Sequence, residues 1–270
     1  MTDAARKRQR YHLRLLLWLL LLALVLLYGW NRELRLASDW RSPTNVALVL
    51  VDASSEGLDP RAVALLQERV PALQEHLHRE FRRYRSRGGL PFRIDLFGPV
   101  TPDVPAPRFE DTGLWELVAY NFRLWRFSRR CDELAGVDAD AFQVRVYLRA
   151  RAPRSREREI AEGASQQGGP IGLVDVELSE SSVDFALFVA AHELFHTRGA
   201  SDRYGPDGLA TFPEGFADPR RRPLFPQENI EVMARGRPLD AYKEEAPHAL
   251  EQLVVGPWTA AEIGWAQLVP

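Results

Sequence analysis

Cysteine occurs once in the 270 residues, at Cys131, so no intrachain disulfide can form and a cysteine-built metal cluster is ruled out. Methionine is nearly as scarce, with Met1 and Met233 the two present. Neither sign of charge dominates: 35 Lys+Arg stand against 37 Asp+Glu, a formal net charge of -2, which leaves no electrostatic ground for a nucleic-acid partner. No internal repeat is visible, so stacked-repeat architectures are set aside. What remains is an ordinary globular composition, 46% hydrophobic and 27% charged, with room for one good-sized domain and small attachments.

Long apolar runs are also few, and the one that stands out lies near the N-terminus. Leu15 to Gly29 carries no charge, with Trp18 near one end, Tyr28 and Trp30 at the other, and Arg6, Lys7, Arg8, Arg10 and Arg14 ahead of it. Taken from Leu13 to Trp30, with Arg14 reaching back toward the headgroups, the run meets the lower bound of the about 17–25 residues that a spanning helix needs. Tyr28-Gly29-Trp30-Asn31-Arg32-Glu33 offers no small-residue cleavage site, so an uncleaved anchor is expected ahead of a cleaved signal peptide or a buried helix. The expected organisation is a cytoplasmic basic tail at 1–12, a transmembrane anchor at 13–30, a stalk at 31–43 and an extracytoplasmic domain, periplasmic or extracellular, at 44–270.

Within that domain, Val46–Val51 is a continuous β-branched run and predicts a strand buried on both faces. Asp59-Pro60 opens a helix with apolar residues at three- and four-residue steps to Tyr84, and Pro71 is expected to kink or divide it. A second strand is predicted at 90–97, an aromatic core-packing helix at about 112–134, a third strand at 142–148, a polar linker over 149–163 and a strand at 171–178. Ser181, Ser182 and Asp184 are capping candidates for a helix from Val183 to about Arg198, and Thr259-x-x-Glu262 reads as the capping box of a last short helix. This order implies an α/β or α+β layer with helices against a mixed sheet.

The helix from Val183 carries the chemistry. His192 and His196 lie at i and i+4, on one helix face, so both rings can reach one metal ion, and Glu193 stands a residue round, where its carboxylate can serve a water. Two neutral imidazoles, an open position and a base are what a hydrolytic zinc site needs. The helix is apolar on most sides and must be packed deep, so its buried polar groups need partners, which a metal and its water would provide. Gly199 can turn the chain back in a left-handed conformation, and Asp202 three residues on is a candidate third ligand; Glu214, Asp218 and His248 are its rivals.

His192-Glu193-x-x-His196-x-x-Gly199-x-x-Asp202 resembles the extended zinc motif of the metzincin metalloproteases, in the variant where aspartate takes the place of the third histidine, as in snapalysin-like and immune-inhibitor-like bacterial secreted proteases. The similarity runs on through Tyr204 and Gly205-Pro206 to Ile230-Glu231-Val232-Met233-Ala234, which looks like the metzincin Met-turn, whose methionine forms an apolar floor below the metal. It covers residues 171–235; before them it rests on element order alone. The resemblance implies an α+β, zincin-like mixed sheet with packed helices, a zinc ion held by His192, His196 and Asp202, Glu193 as the proton carrier, Met233 in the turn, and a protein or peptide substrate. The tyrosine that some metzincins place after the turn to stabilise the oxyanion is missing, Ala234-Arg235-Gly236 standing there; Tyr204, Arg235 and Tyr242 are the candidate replacements. The expected function is a membrane-anchored zinc metallopeptidase. An amidase acting on cell-envelope peptides and a tethered protein that keeps its metal as a structural staple are the alternatives, together with a metal-free binding module.

Overall fold

The computed structural model describes residues 11–267 except 13, 17, 21, 24, 25, 28, 31–39, 87, 109–112, 154–161, 166 and 167. The chain divides into two units, Met1–Ser38 and Asp39–Pro270. In the first, the described residues between 11 and 30 are helical, with Leu16, Trp18, Leu26 and Trp30 exposed. The transmembrane anchor expected at 13–30 does not stand, because no helix among the described residues is long and apolar enough to cross a membrane. The charge-free run Leu15–Gly29 is too short for the role: at about 1.5 Å per residue it reaches about 22 Å, against a hydrocarbon core of about 30 Å. The basic tail at 1–12 and the stalk at 31–43 fall largely outside the described residues. Trp40, expected in that stalk, is instead a core residue, packed edge-on to Phe92 at 5.5 Å and Trp265 at 5.8 Å.

The second unit is built on strands β1 (Thr44–Asp52), β2 (Phe92–Val100), β3 (Val144–Arg151), β4 (Glu162–Ser165) and β5 (Ile171–Glu177), joined in the order β2-β1-β3-β5-β4. β1, β2, β3 and β5 run parallel and β4 is an antiparallel edge. The expected α+β class is therefore corrected to α/β. Parallel neighbours cannot be joined by hairpins, and helices α1 (Pro60–Tyr84) and α2 (Leu114–Ala135) supply the first two crossovers. Alternation along the central strand β1 sends Val46, Leu48 and Leu50 to one face and Ala47, Val49 and Val51 to the other. Helix α1 and helix α3 (Val183–Thr197) cover the first face, and α2 covers the second through Phe127 and Cys131.

Several local expectations change. Asp59 Oδ1 accepts from Arg61 N at 2.9 Å and Pro60 opens α1, but Pro71 lies inside that helix without dividing it. Helix α2 is not mainly core: Trp115 is 83% exposed, and Phe122 and Trp125 are exposed as well. Its inward stripe is carried by Phe127 and Cys131, one helical turn apart. The burial of Cys131 pushes its thiol up to about 12, so it is inert packing. The linker expected over 149–163 contains the end of β3 and the start of β4, and Arg149 pairs with Asp175 across the β3–β5 ladder at 2.7 Å. Asp184 does not cap α3; it binds Arg69 at 2.6 Å and accepts from Leu250 N at 3.2 Å.

After α3 the chain forms two short pairs, β6 (Ile230–Glu231) with β9 (Leu253–Val254) and β7 (Arg237–Pro238) with β8 (Glu244–Glu245), and ends in helix α4 (Pro257–Glu262). Helix α4 starts two residues before Thr259, which is thus inside it and not its cap. Ile263 and Trp265 beyond it are core residues, and Trp265 meets Phe81 at 5.2 Å and Phe195 at 5.5 Å. Burying a side chain of this size contributes roughly 1.5–3 kcal/mol, and this aromatic cluster fixes the C-terminal end of α3.

Candidate metal centre

Helix α3 is buried on nearly every side because its sequence, Val-Asp-Phe-Ala-Leu-Phe-Val-Ala-Ala-His-Glu-Leu-Phe-His-Thr, is apolar outside the motif and Asp184. Close approach to the sheet depends on Gly172 of β5: a Cβ there would stand 3.3 Å from the Glu193 Cβ. The helix ends where Gly199 adopts φ +99°, and Ala200 N returns to Phe195 O at 3.1 Å. A left-handed residue is cheap only for glycine, and this one reverses the chain beneath the histidines.

The two imidazoles are oriented from behind. His192 Nδ1 lies 2.8 Å from Val232 O and His196 Nδ1 lies 2.9 Å from Ala200 O. A carbonyl oxygen only accepts, so both Nδ1 atoms carry protons and, in the neutral rings, each Nε2 presents a lone pair. Both Nε2 atoms converge on Asp202 Oδ1, at 3.2 Å from His192 and 3.1 Å from His196. A tetrahedral zinc ion with bonds of about 2.0–2.1 Å separates its ligand atoms by about 3.3–3.4 Å, close to these spacings. Glu193 contributes a carboxylate oxygen within 4.8 Å of the histidine nitrogens. Its Oε2 is buried and has no hydrogen-bond partner, whereas Asp202 touches both rings. The ligand role therefore suits Asp202, and Glu193 is left with a free acceptor facing the cluster.

The electrostatics agree with a coupled group. Burial works against the Asp202 carboxylate, but without a metal the hydrogen bonds and charge of the imidazoles in their protonated form, which carry a proton on Nε2 as well, outweigh it and hold its pKa well below the usual range. Burial likewise depresses the His196 imidazole, yet the hydrogen bond it donates to Asp202 and the charges of Glu193 and Asp202 leave its pKa raised. The Tyr204 ring is stacked near His192, centroids 6.4 Å apart, and burial with the Asp202 charge and hydrogen bond pushes its hydroxyl up to about 12. Arg235 sits with its guanidinium carbon 5.5 Å from the centre of that same ring. Tyr242 is 88% exposed, and among the described residues its side chain makes no hydrogen bond.

The rival ligands are committed elsewhere. Glu214 binds Arg203, Asp218 accepts from Arg220 N at 3.0 Å, and His248 pairs with Glu245 at 3.0 Å. Met233 is fully buried, and its carbonyl accepts from Arg203 N at 2.9 Å, which ties the turn to the segment carrying Asp202.

Two neighbours of the site escaped the sequence reading. Tyr120 on α2 has its hydroxyl pKa raised by burial and by the Glu193 charge, which puts that helix within electrostatic reach of the centre. Glu231 is the other, and its signal was present: one acid inside the apolar run Ile230–Ala234. Its Oε2 accepts from Met233 N at 2.6 Å and its Oε1 from Gly256 N at 3.1 Å, so it braces the turn whose Val232 carbonyl orients His192. Burial pushes its carboxyl up to about 6 from 4.5, so the native state binds more protons than the unfolded chain between these values and loses stability as pH rises through them. Glu231→Gln leaves an amide N–H facing a backbone N–H, a deficit of about 1–3 kcal/mol at pH 4.5. That deficit should narrow by about 2 kcal/mol at pH 7 in denaturant titrations, because the variant lacks the ionisation penalty. A deficit that widens with pH would show that the two amide bonds outweigh burial.

No family model matches the chain, and no curated protein matches it. A solved structure described as "Structure of a chaperone-substrate complex" aligns with 83% of this chain at 13% identity and a TM-score of 0.36. The chain spans 34% of that structure's chain, and a likeness this low carries no argument.

Proposed function

We propose that the domain is a zinc-dependent metallopeptidase that hydrolyses peptide bonds with metal-activated water. The observation that carries this reading is the convergence of His192 Nε2, His196 Nε2 and Asp202 Oδ1 beside the unpartnered, buried Glu193 Oε2. The donor set suits zinc: two imidazoles, each with its second nitrogen hydrogen-bonded to a carbonyl, and one carboxylate oxygen. His192, His196 and Asp202 would hold the ion. Bound there, zinc supplies a Lewis acid that polarises a scissile carbonyl and acidifies water.

The chain's own residues do the rest. Glu193 accepts the proton of the attacking water at Oε2 and returns it to the leaving amine. Val232 O and Ala200 O keep the rings in the tautomer that presents Nε2. Tyr204, protonated at neutral pH and adjacent to His192, is the best placed of the three candidate donors to a developing oxyanion. The similarity of residues 192–202 and 230–234 to metzincins favours a peptide over other acyl substrates.

Metal removal tests the proposal. The purified full chain should carry about one zinc, lose hydrolysis of quenched fluorescent peptides on dialysis against a chelator, and regain it with zinc. A protein that binds no zinc at neutral pH, or whose hydrolysis ignores the chelator, would sink it.

A further inference from the structure

Arginine is the commonest partner of carboxylates in this domain. Arg69, Arg145, Arg149, Arg203, Arg221 and Arg237 each pair with an Asp or Glu. The Arg235 side chain, like those of Arg82 and Arg93, makes no ion pair and no hydrogen bond among the described residues, but it is placed by the face of Tyr204 and by the backbone at Gly208. A Cβ on Gly208 would meet the Arg235 guanidinium at 3.3 Å, so the bare glycine and the ring together hold the group in place. Val232, Met233, Ala234 and Gly236 are buried around it, while Arg235 itself is exposed. The Tyr204 ring that Arg235 covers has its centroid 6.4 Å from that of His192, so one side chain links the guanidinium to the metal centre.

Two carboxylates lie nearby, Glu244 interacting electrostatically with Arg235 and Asp207 with Glu244, and neither forms an ion pair with it among the described residues. Glu244 is held by Ala210 N at 2.7 Å, and burial raises its pKa. Asp207 accepts from Leu209 N at 3.1 Å. A planar fork of donors, fixed by an aromatic face and left open to solvent, is suited to bidentate capture of a carboxylate.

We propose that Arg235 reads a carboxylate on the substrate, so that the centre prefers peptides presenting an acidic side chain or a free C-terminus beside the bond to be cleaved. This rests on the zinc peptidase reading and names its substrate class. The guanidinium keeps its unit positive charge on the cation–π platform, and the carboxylate of the substrate takes the position that no internal acid fills.

Three zinc-binding dipeptide hydroxamates separate the possibilities by calorimetry on the zinc-loaded full chain. One carries aspartate with a C-terminal amide, the second asparagine with a free C-terminus, and the third asparagine with an amide. One of the first two should bind about tenfold tighter than the third, and which one does so identifies the source of the carboxylate. Arg235→Ala should bring that ratio to about one, and Arg235→Glu should invert it; zinc content measured on both variants reports that the centre is intact. Equal binding of all three by the wild type, or a ratio that survives Arg235→Ala, overturns this inference and leaves the peptidase reading standing. If no hydroxamate binds, the metal-centre reading fails and this inference falls with it.

Discussion

Glu193→Gln is expected to keep its zinc and to lose peptide hydrolysis by roughly 10²–10⁴-fold in kcat. The carboxamide is nearly the same size and shape as the carboxylate, so it fits the space between α3 and Gly172 that the close packing defines. None of the candidate ligand atoms is touched, since His192, His196 and Asp202 make their contacts without it. What changes is the basicity of one buried oxygen position: Oε2 of the wild type can take a proton, and the amide cannot. The paired measurement is zinc per chain and turnover of the same peptide. Loss of turnover with zinc retained assigns the proton transfer to Glu193. Turnover within tenfold of wild type would remove Glu193 from the mechanism, and loss of both would mean that it holds the ion.

The motif was readable in the sequence because each member has a meaning at a fixed offset. His192 and His196 share a helix face by helical periodicity, and Gly199 marks the stop that φ +99° realises. The second layer was not readable in the same way. Val232 and Ala200 orient the histidines through backbone carbonyls, which any residue type supplies, and Glu231 acts through a turn whose shape depends on β9, more than twenty residues further on. Strand β1 announced itself as an apolar run, β3 as an alternating one and β5 as a segment opened by Gly168-Gly169-Pro170, but their direction left no trace in composition. It is set by the crossovers, which is how an α/β sheet could be expected as α+β. Glu162–Ser165 has no apolar alternation, and it is a strand because β5 offers it an edge. The aromatic residues of α2 were read as core on hydrophobicity alone; whether a tryptophan is covered depends on the neighbour, and Trp115 has little above it. The N-terminal run is a separate matter, since no helix among the described residues is long and apolar enough to cross a membrane.

The aspartate is the part of the site on which the metal reading depends most. Zinc sites with four protein ligands have apparent binding free energies of about 10–16 kcal/mol, so each ligand accounts for on the order of 3 kcal/mol. Asp202→Ala should therefore weaken zinc by at least about a hundredfold in a chelator competition. The metal-free protein makes a second, independent test. There Asp202 sits between two imidazoles, its pKa lowered and that of His196 raised. The lowered carboxylate contributes stability that is present above its unfolded value of 3.8 and is lost as pH falls through the folded one. The raised imidazole contributes stability that is complete below 6.5 and is lost as pH rises through its folded value. The metal-free wild type should thus exceed Asp202→Ala in stability most between about pH 4 and pH 6.5, with the gap closing on either side. The carboxylate is 43% exposed, so solvent screening keeps that gap modest. Zinc would take the place of the proton held in this pair, so its addition should reopen the gap above pH 7 and, below the folded pKa of His196, should release that proton. A gap that does not change with pH would show that the charge pair is not formed in solution. Tight zinc in the variant would move the third ligand away from Asp202, and with Glu214 bound to Arg203 the remaining carboxylate beside the histidines is Glu193 itself.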